Sequence, residues 1–390
     1  MLGVHNWNPR PGQKGLRVLC LDGGGTRGVL TIALLREVLK GLDKDVHEVF
    51  DVICGTSTGG ILAMLFASEK QSLESVGAMY DSLIVKIFKK DLLATAKLVV
   101  QQAQYSHNDW EQILEDILGD RRMIDTMSRP NNPKVVICST LLNALPIQMM
   151  LWRNYGYLPP PAKQSIYQGD YRRKMRECVR ATTAAPSIFQ PLISRGMVYA
   201  DGAFMANNPT AIALREAKLL YPGVPFECVV SVGTGYYEPK LTSPQMSWNM
   251  IISQLVSSAT DTEAVAAAMG IFLEDDEYFR FNPPIEPFEI DEIREEKLDE
   301  LKALGKAYVQ RPEIKAKAKQ LRKLLRGETG IPGWVSRGGD DDDDGDSDSG
   351  GGGGGGGSGS GSGKGVAAGS TVPAPPPPPV GDGGTPGLIR

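Results

Sequence analysis

Apolar and polar positions change period repeatedly along this chain. Short β-branched runs give way to segments in which apolar residues recur every three or four positions, the pattern of an α/β domain with a largely parallel central sheet and flanking helices. The runs Leu16–Leu21, Phe50–Cys54, Val135–Thr140, Met197–Ala200 and Cys228–Val232 read as strands. After the first, Val29, Ile32, Ala33, Leu35, Val38, Leu39 and Leu42 recur at helical spacing. The stretch Ile61–Ala67 is apolar on every side, as a helix buried against a sheet must be. An amphipathic helical pattern between Tyr80 and Met127 predicts a cap over whatever opens at the top of the sheet. The segment Asp291–Gly327 begins with acids and ends with bases, an order that suits the dipole of a terminal helix. Its basic face is compatible with anionic lipid, but a solvated helix packed on the domain is the commoner meaning.

The pattern stops near Ser336, where an aspartate run (Asp340–Asp344), Gly/Ser repeats and a proline-rich stretch follow one another. Such a segment has almost nothing to bury and is expected to be a disordered appendage. Calcium binding by its aspartates is disfavoured, because neither EF-hand spacing nor a closing glutamate is present. This leaves one folded domain over 15–330, with a motif-bearing core at 15–240 and a helical part at 241–330, and a tail at 336–390.

Composition narrows the function classes. With 390 residues, 41% of them hydrophobic, the chain has ample material for a core, and a net charge of −4 offers no electrostatic case for nucleic-acid binding. Five widely spaced cysteines, Cys20, Cys54, Cys138, Cys178 and Cys228, read as buried thiols in a reducing compartment. The first residues lack the apolar stretch of a signal peptide, and no window is long and apolar enough to span a bilayer. An intracellular site, cytoplasmic or peripheral on a membrane, is expected, with lipid approached from the water side. Organelle import stays open if the chain starts upstream of Met1.

Candidate chemistry centres on Phe50–Ile61, an apolar run passing through Gly55-Thr56-Ser57-Thr58-Gly59 into an apolar helix. This is the pattern of a nucleophile elbow. The strand-to-helix turn is tight enough to demand small residues two positions either side of the serine, and it lifts Ser57 to where a substrate can reach it. A serine nucleophile needs a base, usually histidine, yet only His5, His47 and His107 exist. None follows Asp201, so the chain order of an α/β-hydrolase triad cannot be built. Asp201, closing the apolar run before Gly202, is the alternative base, since sites in open α/β sheets gather at strand ends. An ordinary carboxyl near pKa 3.9 is a poor base at neutral pH, so burial would have to raise it or a short bond to Ser57 would have to substitute for basicity.

The third element is Asp22-Gly23-Gly24-Gly25-Thr26-Arg27-Gly28, a glycine loop between a strand and a helix. Backbone N–H groups there can face an anion, either the oxyanion of acyl transfer or a phosphate. Asp22 reads as a residue that fixes the loop. For Arg27, attraction of a phosphorylated head group and pairing with an acid are equally open.

Taken together, DGGGTRG at 22–28, GTSTGG at 55–60, the Ala-Thr…Ala-Ala-Pro…Phe segment at 181–189 and DGA at 201–203 resemble the patatin-like phospholipases, over roughly residues 15–240. The resemblance implies a three-layer α/β/α fold and a Ser–Asp dyad in which Ser57 attacks an ester and Asp201 accepts its proton. It assigns Gly23, Gly24 and Gly25 as oxyanion donors, with Asp22, Arg27, Gly28, Gly55, Gly59 and Gly202 in support. It further implies a covalent acyl-enzyme, no metal and no cofactor, and glycerolipid substrates met at a membrane surface, nearest to the calcium-independent branch of the family. Protein partners stay unknown. Two rivals come from other classes. A sugar kinase of the actin-like type would use Asp22–Thr26 and Ser231–Gly235 as phosphate loops, but it needs a hairpin where Val29–Leu42 has helical periodicity. A catalytically silent lipid-binding scaffold would have no use for both dyad residues.

Overall fold

In the computed structural model, which describes residues 7–88, 107–128, 132–157, 165–186, 188–238 and 261–328, nine strands form one sheet. Its central strand is β1 (Leu16–Leu21), buried along its whole length between parallel neighbours β2 (Val52–Thr56) and β8 (Phe226–Val232). Strand β3 (Lys134–Leu141) adds in parallel beside β2, and β9 (Tyr278–Phe281) beside β8. The outer strand β4 (Gln148–Arg153) runs antiparallel to β3 and carries the short β5 (Gln168–Asp170). A hairpin of β6 (Leu192–Ser194) and β7 (Met197–Asp201) joins through β7, antiparallel to β3.

Side-chain alternation along β1 divides the core between the two faces of the sheet. Leu19 and Leu21 belong to one apolar cluster, with α1 (Gly28–Val38) and α3 (Thr58–Ala63), while Val18 and Cys20 belong to the other. Between these two helices lies the single turn α2 (Val46–Val49), and α3 runs on into one wide π turn, Met64–Ser68. The first face also receives α4 (Leu73–Phe88), α5 (His107–Leu118) and α6 (Met175–Thr182). The short α7 (Ala203–Ala206) follows β7, and the second face is covered by α8 (Thr210–Leu220) and α9 (Thr262–Phe272). The result is the expected three-layer α/β/α arrangement. All five cysteines are buried and unpaired.

The terminal segment departs from the single helix that its charge order suggests. It forms two, α10 (Glu295–Gln310) and α11 (Pro312–Arg326). Pro312 has no N–H to continue a helix and forces Arg311 into extended backbone (φ −56°, ψ 137°), so the chain turns and restarts. Both helices pack on α1, where Gly305 lets α10 come close to Leu30 and Ala33. Two of the bases bond to backbone carbonyls. Arg322 donates to the carbonyls of Glu37 and Val38 at the end of α1, and Arg326 donates to Gly41 O. In return Arg17, paired with Glu227 at 2.8 Å, donates to the last carbonyls of α11, Leu324 and Leu325.

Three further boundaries differ. The part at 241–330, expected to be helical, contributes β9, whose Tyr-Phe-Arg-Phe pattern is too short to announce a strand. The run starting at Phe50 begins late, because Phe50 closes α2 and β2 starts at Val52. Strand β4 goes unmarked in the sequence because only four apolar residues separate Gln148 from Arg153. The tail at 336–390 and residues 89–106 of the expected cap lie outside the described residues.

Arg153 anchors β4 to α8 through Glu216, which is wholly buried. The carboxylate accepts from Arg153 at 2.7 and 2.9 Å and from Tyr155, Tyr157 and Ser165. Burial alone would raise its pKa, but the bonds and charge of Arg153 with those of Tyr157 and Ser165 hold it below the ordinary value. Removing one partner of a buried pair leaves the other charge uncompensated. Arg153→Met is therefore expected to cost about 3–5 kcal/mol of unfolding free energy at pH 8, measured by urea denaturation. A loss under about 1 kcal/mol would show that the tyrosines and Ser165 satisfy Glu216 unaided.

Candidate active site

Ser57 stands between β2 and α3 with φ 54° and ψ −121°, a region that residues with a side chain rarely occupy. Gly55 and Gly59 make the turn possible. A methyl group on Gly55 would overlap the Gly59 carbonyl, and one on Gly59 would overlap the Leu21 carbonyl of β1. The Ser57 N–H is held by Thr182 Oγ1 at 2.9 Å, and that hydroxyl in turn donates to Cys138 O on β3.

Register places the acid beside the serine. Strand β2 occupies one edge of β3 as far as the pair Thr56–Cys138. Strand β7 takes over with the pair Asp201–Ser139. The last residue of each strand thus meets β3 at consecutive positions, and Ser57, one step beyond β2, donates its hydroxyl to Asp201 Oδ2 at 2.6 Å. Gly202 is needed at the crossing because a side chain there would strike the Cys138 carbonyl. The other carboxyl oxygen of Asp201 accepts the Ala203 N–H at 2.8 Å. Burial pushes the Asp201 carboxyl up to about 7, against the opposing effect of those two hydrogen bonds. A base with that pKa is matched to neutral pH.

The glycine loop passes over this pair and is held from several sides. Gly23 lies close to Ser57, but its N–H is engaged by Asn207 O at 3.2 Å, so of the three expected oxyanion donors this one is already committed. Among the described residues the N–H groups of Gly24 and Gly25 have no protein partner. Gly25 adopts φ 58°, and its carbonyl accepts from Tyr80 OH at 2.6 Å and Thr58 Oγ1 at 2.7 Å. Gly28 leaves the space through which the Tyr80 hydroxyl reaches that carbonyl. Thr234 Oγ1 donates to Gly23 O at 2.8 Å, which gives the Ser231–Gly235 segment its role as a strand end and turn that supports the loop. Asp22 is fully buried and paired with Arg280 at 2.7 Å. Burial raises its carboxyl to about 6, with Arg280 opposing. Arg27 is half-buried, and its Nε donates to Gly24 O at 3.2 Å. It lies 5.5 Å over the Tyr237 ring, and its Nη1 donates to Tyr237 OH at 3.3 Å.

A cavity of about 40 Å³ opens beside Ser57, walled by Tyr80, Leu83, Phe88, Trp110, Ile188 and Phe189 among others. Helix α4 supplies Tyr80, Leu83, Ile84, Ile87 and Phe88 of this wall, and α5 supplies Trp110. Among the described residues no histidine lines it, and His47 lies in α2. Among the described residues, Asp45, His47 and Glu48 form the one cluster close enough to share an ion. Glu48 there is engaged with the Asp45 N–H in a helix cap, away from the Ser57 cavity. Thr58, Tyr80, Thr234, Asn207 and Arg280 were not read as site residues in the sequence, because each acts through a contact between segments far apart in the chain. Between β1 and α1 there is no hairpin of the kind a kinase phosphate loop needs, since β1 pairs in parallel on both sides.

The profile of the patatin-like phospholipases matches residues 19–214, half of the chain. Calcium-independent phospholipase A2-gamma of Mus musculus is 39% identical over 320 residues, covering 81% of this chain and 41% of that protein. The protein of that name in Homo sapiens is 39% identical over 320 residues, covering 81% and 40%. Phospholipase A I of Arabidopsis thaliana is 31% identical over 323 residues, covering 70% and 25%. The chain thus spans about two fifths of the length of the first two of these relatives.

If Asp201 accepts the Ser57 proton, kcat/KM should rise with pH through an apparent pKa near 7. The Asn variant should lose about 10³-fold or more. The folded carboxyl titrates above its ordinary 3.8, so the folded state keeps its proton between about 4 and 7 where the unfolded chain has lost it. The stability this lends is present at low pH and is lost as pH rises through about 7. Asp201→Asn should accordingly unfold at the same or a higher temperature than the unaltered protein at pH 8. A pH–rate midpoint near 4, or near-normal turnover by the variant, would remove Asp201 from this role.

Proposed function

This chain belongs to the patatin-like phospholipase family, and from that premise we propose that it is a metal-independent lipid acyl hydrolase acting through Ser57 and Asp201 on fatty-acyl esters of phospholipids or related glycerolipids. The observation that carries the reading is the 2.6 Å bond from Ser57 Oγ to a buried Asp201 carboxylate at the mouth of an apolar cavity. Ser57 Oγ attacks the ester carbonyl while its proton passes to Asp201 Oδ2. The carbonyl oxygen becomes an oxyanion, for which the N–H groups of Gly24 and Gly25 are the available loop donors, with that of Gly23 occupied by Asn207. Collapse breaks the ester C–O bond, and the leaving glyceryl oxygen takes the proton from Asp201. Water, deprotonated by the same carboxylate, then releases the fatty acid and restores Ser57.

The cavity of about 40 Å³ has room for an ester group and a few waters, but not for a long acyl chain. Substrate binding therefore requires the α4 and α5 side chains, Phe88 and Trp110 foremost, to part. An apolar wall of this kind selects hydrocarbon, and the substrate would be drawn from a lipid surface met from the aqueous side.

Mass-spectrometric product analysis on a mixed-acyl phosphatidylcholine, with and without EDTA, tests the proposal. Fatty-acid release should survive EDTA and vanish in Ser57→Ala without loss of folding. Retained release by the variant would exclude Ser57 as nucleophile. Labelling of Ser57 by a fluorophosphonate without phosphatidylcholine turnover would keep the mechanism and redirect the substrate to glycerides or galactolipids. Absence of both would favour a silent scaffold.

A further inference from the structure

A second apolar groove, of about 570 Å³, lies along the β6–β7 hairpin and is lined by Ala184, Phe189, Ile193, Val198, Ala200 and Phe204 among others. Its volume falls within the range of about 300–1,000 Å³ usual for small-molecule sites. Gln190 is the one polar side chain in its lining. Two connections tie it to the reacting pair. Phe189 is a wall of both this groove and the Ser57 cavity, where its ring packs against Phe88 and Trp110 with centroids 6.2 and 6.3 Å apart. Ala184 and Ala200 sit beside Asp201, Ala200 as its chain neighbour and Ala184 through its carbonyl, which accepts the Asp201 N–H at 3.0 Å.

The groove is built on fixed backbone. Ile193 and Val198 are cross-strand partners and share one face of the hairpin. The hairpin is latched to the β3–β4 turn, where the Asn143 amide donates to Gly196 O and accepts the Val198 N–H. Around this latch stand apolar side chains exposed to water: Leu145 fully, Ile193 at 73% and Met197 at 40%. Apolar side chains clustered on a rigid edge mark an interaction surface. The one charged residue of the hairpin turn is Arg195, a cation suited to a lipid phosphate.

Resting on the acyl-hydrolase reading, we propose that this groove holds the second, uncleaved acyl chain of a diacyl glycerolipid whose scissile ester lies at Ser57. Its side chains are apolar apart from Gln190, so they offer a peptide little side-chain hydrogen bonding, whereas a hydrocarbon chain needs none. Phe189 is the partition over which a two-chain lipid straddles, one chain in each compartment, with the glycerol near Asp201. The enzyme is thereby a diacyl-lipid hydrolase that favours two-chain over one-chain substrates.

The test compares kcat/KM on a diacyl phosphatidylcholine and on a lysophosphatidylcholine bearing the same scissile chain, both in the same non-ionic mixed micelles. The unaltered protein should prefer the diacyl lipid. Val198→Trp, which fills the groove, and Ile193→Asp, which charges an exposed position and leaves the core intact, should each lower the diacyl-to-monoacyl ratio at least tenfold. An unchanged ratio in folded Ile193→Asp overturns the proposal, and so does an equal loss on both substrates, which would make the groove a surface-attachment site or the scissile-chain site. In Ser57→Ala protein, a phosphatidylcholine with a diazirine in the uncleaved chain should label residues within 189–204, whatever the turnover. Failure to label there also overturns it. Inactivity of the unaltered protein on both lipids, with the diazirine label in place, would instead count against the hydrolase reading.

Discussion

One edge of one strand sets this structure. Strand β3 offers its edge first to β2 and then, from Ser139 onward, to the antiparallel β7, and the handover between them brings Ser57 and Asp201 together. Residues 144 positions apart in the chain come within a 2.6 Å hydrogen bond because Asp201 ends β7 and Ser57 follows the end of β2 at consecutive positions on a shared neighbour. Cys138 is the pivot. Its carbonyl accepts from Thr182, whose hydroxyl also holds the Ser57 N–H, and it lies so close to Gly202 that no side chain fits between them.

Holding that arrangement costs free energy that the rest of the fold supplies. Ser57 occupies a strained backbone region, and Asp201 is stripped of water with no cation beside it among the described residues to offset the loss, so burial raises its carboxyl to about 7. The contrast with Glu216 is instructive. Both carboxylates are buried, but Glu216 has Arg153 and is held ionised, whereas Asp201 has only a hydroxyl and one N–H. The paired acid keeps its charge, and the unpaired one titrates near neutrality. Asp22 falls between them, fixed by Arg280 so that the glycine loop is anchored where the apolar core alone could not orient it.

Reading the site as part of a larger apolar surface explains features that catalysis does not require. The Ser57 cavity is narrow and walled by cap side chains, while a roomier groove runs along the β6–β7 hairpin with Phe189 between them. Exposed apolar side chains stand on the hairpin and the adjoining turn. Arg322 and Arg326 of α11, which bond to carbonyls at and just beyond the end of α1, serve the fold.

What the sequence determined by itself was local. The periodicity marked β1, β3, β7 and β8 to within a few residues: β1, β3 and β8 are dense apolar runs buried on two faces, and β7 is a shorter apolar run buried from Tyr199 onward. The spacing of glycines around Ser57 announced the elbow, since only small residues fit that turn, and the shortage of histidines pointed to Asp201. Strands β4 and β9 and the break between α10 and α11 were less legible, β4 and β9 because their patterns are short, the break because charge order overshadowed Pro312. Only the tertiary structure decided which loop donors remain open, since Asn207 claims the Gly23 N–H from a distant segment. It also decided that Arg27 settles on Tyr237 and that burial raises the Asp201 carboxyl to about 7. Local chemistry is written in spacing along the chain, whereas hydrogen-bond partners and desolvation depend on which segments the sheet brings together.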